Sequence, residues 1–158
     1  MAGTSFTVTA GSGPLREALA ALAHAAHDLS APMDEIGASL LTSTQQRIQD
    51  EEDPEGKDWV DLSPERQAER EKAGRQPNAE KLRFSSQLYS SLTYLATADD
   101  VTMGTNKVYG AIHQLGGTPD MPPRPAGVPA RPYLGLSADD EAEVGAILRD
   151  HLADAWET

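Results

Sequence analysis

The 158-residue chain contains no cysteine. Disulfide scaffolds, thiol catalysis, iron–sulfur clusters and cysteine-based zinc sites are therefore excluded. Aromatic residues make up only 5% of it. A core must then come mostly from Leu, Ile, Val and Ala, and oligomerisation would help so modest a core to bury surface. Cations are scarce as well: 13 Lys and Arg stand against 25 Asp and Glu, a formal net charge of −12. That balance disfavours a basic nucleic-acid-binding domain, because neutralising phosphates takes clustered Lys and Arg. No apolar run approaches the ~18 residues of a membrane span. The opening stretch, Met1 to Gly13, lacks the basic start and apolar run of a signal peptide, so a soluble protein of a reducing cytoplasm is expected.

What is present reads as an α+β chain. Ser5 to Ala10 alternate in polarity and predict a short strand. Gly11-Ser12-Gly13 is a turn signal. Leu15, Leu19, Leu22, Ala26 and Leu29 then recur at helical spacing, predicting a helix from about Pro14 to Leu29. Ser30-Ala31-Pro32 predicts a kink or break, with Ser30 able to cap a second helix. Met33, Ile36, Leu40, Leu41, Thr44 and Ile48 continue a helical stripe to about Gln49. The acids Asp50 to Asp53 oppose the macrodipole at a helix C-terminus and should end it. Asp53-Pro54-Glu55-Gly56 signals a turn, and Trp59, Val60 and Leu62 are expected on the core.

Ser63-Pro64 starts a further helix, polar nearly all round and so expected to be solvent-exposed or mobile, which Gly74 ends. Leu82, Phe84, Leu88 and Leu92 are apolar anchors. Alternation across Leu92 to Gly104, with Asp99-Asp100 between, predicts a β-hairpin. Thr105-Asn106 can cap a short helix through Val108, Tyr109, Ile112 and His113. Gly116 to Pro132 holds six of the eleven prolines and predicts an extended, polyproline-like loop. Tyr133-Leu134-Gly135-Leu136 reads as an apolar return and a candidate strand. Ser137 then caps a final helix whose stripe is Val144, Ile147, Leu148, His151, Leu152 and Ala155.

Few residues carry chemistry. His24 and His27 share a helical face, but no third metal ligand accompanies them. Asp50 to Asp53 lacks the alternating spacing and central glycine of a calcium loop. There is no nucleophile elbow, phosphate-binding glycine loop or dinucleotide fingerprint. No enzyme, metal or cofactor is indicated. The long proline loop stands out instead. Gly116-Gly117 permits a sharp exit from a helix, His113 and Gln114 can tie the loop ends, and Pro129, Arg131, Pro132 and Tyr133 mark its return. The plain reading is a tethered surface loop and the sharper one an arm docking on a neighbouring subunit; loops of this length are more often functional than idle, which favours the arm.

In order along the chain, four segments resemble the phage virion morphogenesis family. They are Asp53-Pro54-Glu55-Gly56-Lys57-Asp58-Trp59-Val60-Asp61-Leu62-Ser63-Pro64, then Leu88 to Leu92, then Gly104-Thr105-Asn106 with Tyr109, Ile112, His113, Gln114, Gly116 and Gly117, then Pro129 to Gly135. Ser86 stands about where the family usually has a glycine. The resemblance divides the chain into an extension, residues 1–32, and a morphogenesis domain, residues 33–158, with an extended loop over 114–133.

The resemblance implies a structural protein of the virion neck in a tailed phage, assembled in the host cytoplasm. It would be a ring-forming tail-completion component, with a hexamer favoured, that makes tails competent for head joining. Neighbouring connector or tail-terminator proteins would be its partners, with DNA only a polymer passing through the channel and no membrane. His113, Gln114, Gly116, Gly117, Pro129, Arg131, Pro132 and Tyr133 are the expected interface residues. An alternative is a transient capsid assembly factor not retained in the particle. A third reading, an acidic module mimicking DNA charge, needs no ring.

Overall fold

The computed structural model describes residues 13–118, 120 and 127–157. The strand expected over Ser5 to Ala10 and the prolines Pro119, Pro122, Pro123 and Pro125 lie outside these residues. The described elements are α1 (Gly13–His27), α2 (Ser30–Asp50), α3 (Pro64–Lys72), α4 (Gln87–Ser90), β1 (Leu92–Ala96), β2 (Val101–Thr105), α5 (Gly110–Leu115) and α6 (Ala138–Glu157). The fold is α+β, with α2 packed between the β1–β2 hairpin and α6, and α1 laid against α6.

The break after α1 comes earlier than Pro32 suggests. Leu29 occupies the N-cap position of α2 and makes no side-chain cap. Ser30 does not cap; its N–H donates to Asp28 Oδ1 at 3.1 Å. Pro32 thus falls in the first turn, where its missing N–H costs nothing. At the other end, Glu51 adopts φ 63°, and its N–H returns to the Arg47 carbonyl, so the helix stops inside the acidic run.

The hairpin pairs Leu92 with Thr105 and Ala96 with Val101, antiparallel. Its inner face lies on α2 so closely that a Cβ at Gly37 would run into the Tyr94 ring. Tyr94 then donates its hydroxyl to Asp34 Oδ1 at 3.0 Å. The core joins Ile48, Trp59, Leu82, Leu88, Leu92 and Tyr133, with Leu41, Tyr89 and Leu134 against it.

Several expected contributors lie elsewhere. Val60 is 61% exposed, because its carbonyl rather than its side chain turns inward. Phe84 is exposed, lying 5.0 Å from the Arg70 guanidinium and 4.6 Å from that of Arg75. The polar helix α3 is mostly exposed but docked by the buried Arg70, which donates to the carbonyls of Ala79 and Glu80. Its Ser63 cap accepts from Arg66 N–H as expected. The short helix α5 begins later than the sequence predicts, with Tyr109 at its N-cap and Val108 outside it and exposed; Thr105 Oγ1 instead accepts from Lys107 N–H in the preceding turn. Tyr133 to Leu136 forms no strand.

One buried ion pair ties the two long core helices. Arg47 Nη2 lies 2.8 Å from Asp140 Oδ2, both side chains nearly inaccessible. Ser137 caps α6 reciprocally: its Oγ accepts from Asp140 N–H while its own N–H donates to Asp140 Oδ2. Burial pushes the Asp140 carboxyl up, but hydrogen bonds from Ser137 and Ser43 and the charge of Arg47 outweigh it and hold the pKa below its ordinary value. That pair therefore stabilises the fold at pH values above ~3.9, and its contribution fades as pH falls through the lower folded value. Asp140→Ala is expected to cost roughly 3–5 kcal/mol at pH 7 in urea unfolding, since it strands a buried guanidinium. A loss under about 1 kcal/mol would show the pair to be dispensable.

Candidate functional site

The site is the root of the proline loop, where buried backbone lacks regular secondary structure. Buried N–H and C=O groups need partners, and here most come from side chains. Gln114, on the last turn of α5, serves three groups. Its Oε1 accepts from Tyr133 N–H at 3.0 Å and Leu134 N–H at 2.9 Å, while its Nε2 donates to the Leu134 carbonyl at 2.9 Å. Trp59 Nε1–H donates to the Pro132 carbonyl at 2.9 Å. Arg47 Nη1 donates to the carbonyls of Tyr133 and Gly135.

Two backbone hydrogen bonds close the loop at its base. Arg131 N–H donates to the His113 carbonyl at 2.7 Å, and Gly117 N–H donates to the Val128 carbonyl at 2.8 Å. Gly116 allows this approach. Its φ is +83°, and a Cβ there would stand 3.1 Å from Ala130 N. Tyr133 is fully buried, its hydroxyl donating to the Gly110 carbonyl at 3.2 Å.

Arg131 reaches the other way. Its Nε and Nη2 donate to the Val60 carbonyl, and Nη2 also to that of Asp61. The 53–62 segment is shaped to present these carbonyls. Asp53 Oδ1 accepts from the N–H groups of Glu55 and Lys57, closing a turn at Gly56 with φ +76°. Pro54 packs onto Gly135, where any Cβ would clash. The segments Asp53–Pro64, Gly104–Gly117 and Pro129–Gly135 thus meet at one place, with Leu88 packed beside Gly110.

The expected site residues divide accordingly. Gln114, Gly116, Gly117, Arg131, Pro132 and Tyr133 come together, but the side chains of Arg131 and Tyr133 are buried within their own chain. His113 is part-buried and meets the Tyr109 ring edge-on at 5.8 Å. Its Nδ1 is buried without a hydrogen-bond partner. Pro129 is exposed. Sequence reasoning misses Arg47 and Asp140 as polar supports of the loop. The available signal is an arginine at position 47 inside the apolar stripe formed by Ile36, Leu40, Thr44 and Ile48.

A cleft of about 470 Å³ opens beside this root, lined among others by Arg66, Arg70, Phe84, Tyr109, His113 and Pro129. Among the described residues, no group of three or more His, Asp and Glu side chains is placed to hold a metal ion. The described helices include none long and apolar enough to cross a membrane. The arrangement organises backbone and a surface cleft; among the described residues of the site, no nucleophile and base are brought into contact.

The architecture is a helical core bracing a loop by side-chain hydrogen bonds. The chain belongs to the phage virion morphogenesis family, whose model matches residues 12–153 and so takes in α1. It is 42% identical over 121 residues to the "Putative capsid assembly protein G" of Escherichia phage Mu, covering 76% of this chain and 77% of that protein. It is 33% identical over 104 residues to the "Mu-like prophage FluMu G protein 1" of Haemophilus influenzae, covering 66% of each. No solved structure matches.

The site generates a pH prediction. Burial, reinforced by the charge of Arg131, holds the His113 pKa below its usual value. The unfolded chain therefore binds a proton that the folded chain resists. Stability is complete above ~6.5 and is expected to fall as pH drops from there through the lower folded value. His113→Phe keeps a ring against Tyr109 and should flatten that part of a pH series of urea midpoints. An unchanged slope would show that His113 is not its source.

Proposed function

We propose that the chain is a ring-forming tail-completion component at the head–tail junction of a tailed phage, with a homohexamer favoured. The observation that carries this reading is the braced loop root. A proline-rich segment is anchored at both ends by Gly117–Val128, Arg131–His113 and Gln114, an investment in position that a passive surface loop does not need. In a closed ring each subunit meets the next through two different patches, and an anchored arm suits such a contact. With Arg131 and Tyr133 committed to their own chain, they act in this reading as the arm's root. Gly116, Gly117 and Pro129 set where it leaves and returns, and connector or tail-terminator proteins are the adjoining partners.

The charge supports a conduit. Six copies at −12 each carry −72. Acidic side chains facing the channel would repel DNA, so that the polymer passes without sticking. A second reading, a transient assembly factor absent from the finished particle, is favoured by the name of the Mu relative, a putative capsid assembly protein.

The test replaces residues 119–126 with a Gly-Ser segment of equal length. The variant is expected to keep the thermal midpoint within a few degrees while losing at least ten-fold in assembled mass by light scattering and in head–tail joining. Unchanged assembly would overturn the arm. Mass spectrometry of purified particles should find the chain at a few copies each, and its absence would favour the transient factor.

A further inference from the structure

Charge is unevenly spread over the molecule. Residues 64–85 hold six cations (Arg66, Arg70, Lys72, Arg75, Lys81 and Arg83) against four acids, a net of +2. With the whole chain at −12, all other residues together carry −14. Of this segment Arg66, Glu69, Arg70, Lys81 and Phe84 line the 470 Å³ cleft; Arg66 pairs with Glu69 and Lys81 with Glu51, Arg70 donates to backbone carbonyls, and the half-exposed Phe84 has the Arg70 and Arg75 guanidinium groups 5.0 and 4.6 Å from its ring centre. An aromatic ring flanked by two cations and open to solvent is a surface prepared for an acidic, aromatic partner.

Such a partner surface exists on the same molecule, at the end of α6. The last nine residues of this helix, 149–157, hold three acids and one cation, a net of −2. The helix packs on α2, with the Asp140–Arg47 pair in its first turn, and Ile147 is buried at its middle. Its last turns meet α1, through His151 and Ala25. There Trp156 remains 50% exposed and Leu152 36% exposed. Twenty helical residues span about 30 Å, so this end stands well away from the Asp140 end that is tied to the core.

We propose that the cleft between α3 and the loop root receives the C-terminal end of α6 from a second copy of the chain, with Trp156 against Phe84 and the acidic helix facing the cations of residues 66–83. The inference rests on the ring reading and deepens it. It supplies the two unlike patches that a closed ring requires, one basic and concave, the other acidic and projecting. Salt should weaken the contact, since the opposed charges lie at the surface.

The absence of cysteine makes the contact directly testable. Ser85→Cys and Ala153→Cys, both at exposed positions near the two patches, are introduced together and singly. Under mild oxidation the double variant is expected to form a ladder of covalent multimers and an equimolar mixture of the two single variants a heterodimer, while each single variant alone stays uncrosslinked. Trp156→Ala should weaken association roughly 30-fold or more by light scattering, with an unchanged circular dichroism spectrum and melting midpoint. A double variant without a ladder, or a Trp156→Ala chain that associates like the parent, overturns this docking. The mass of the parent chain and its presence in particles then decide the ring reading separately: a multimer, or a chain retained in particles, leaves the ring standing with other contacts.

Discussion

The fold depends on satisfying a buried stretch of backbone that belongs to no helix or sheet. The chain turns inward over residues 131–134, and Arg131 and Tyr133 are among the most buried of the described residues. A strand would have paired this backbone with a neighbour. Here Gln114, Trp59 and Arg47 supply hydrogen bonds from three different segments, and the carbonyl of His113 and the N–H of Gly117 complete the set. Each of these side chains has a role that a similar residue would fill poorly. Gln114 must donate and accept at once, and Arg47 must reach two carbonyls while its other nitrogen meets Asp140.

This constraint explains why distant segments are shaped as they are. The Asp53 turn positions Trp59 and turns the Val60 and Asp61 carbonyls toward Arg131. Gly110 leaves room for the Tyr133 hydroxyl, and Gly135 leaves room for Pro54. The consequence for function is mechanical. The two ends of the proline-rich loop are held at fixed points on a core that α2 and α6 make rigid. A loop so held can present itself to a neighbour at a reduced entropic cost.

Much of this organisation is legible in the sequence where it obeys local rules. The α2 stripe, the hairpin alternation and the Ser63 and Ser137 caps all arise from spacing or capping chemistry that acts within a few residues, and Gln114 is legible as a tie because it sits where the loop leaves its helix. The illegible part depends on long-range polar pairing. Arg47 and Asp140 are 93 residues apart and each has an ordinary local reading, as a helix-face cation and a first-turn acid. Tyr133 to Leu136 carries a strand-like composition, yet its partners are side chains, which no alternation pattern encodes. Val60 and Phe84 read as core because they are apolar. One is turned out by the demand for its carbonyl, and the other stays half-exposed beside two arginines rather than under hydrocarbon. The resemblance points to the correct family because its motifs are the pieces that meet at the loop root.

The central claim is that residues 131–134 are a structural strut, as firmly held as the helices around them. Amide hydrogen exchange on the intact chain tests it most directly. The N–H groups of Arg131, Tyr133 and Leu134 should exchange only on global unfolding, at rates matching the α2 amides of Thr44 and Ile48. Exchange at the rate of open loop backbone would contradict the claim, and the loop would then have no fixed root from which to act.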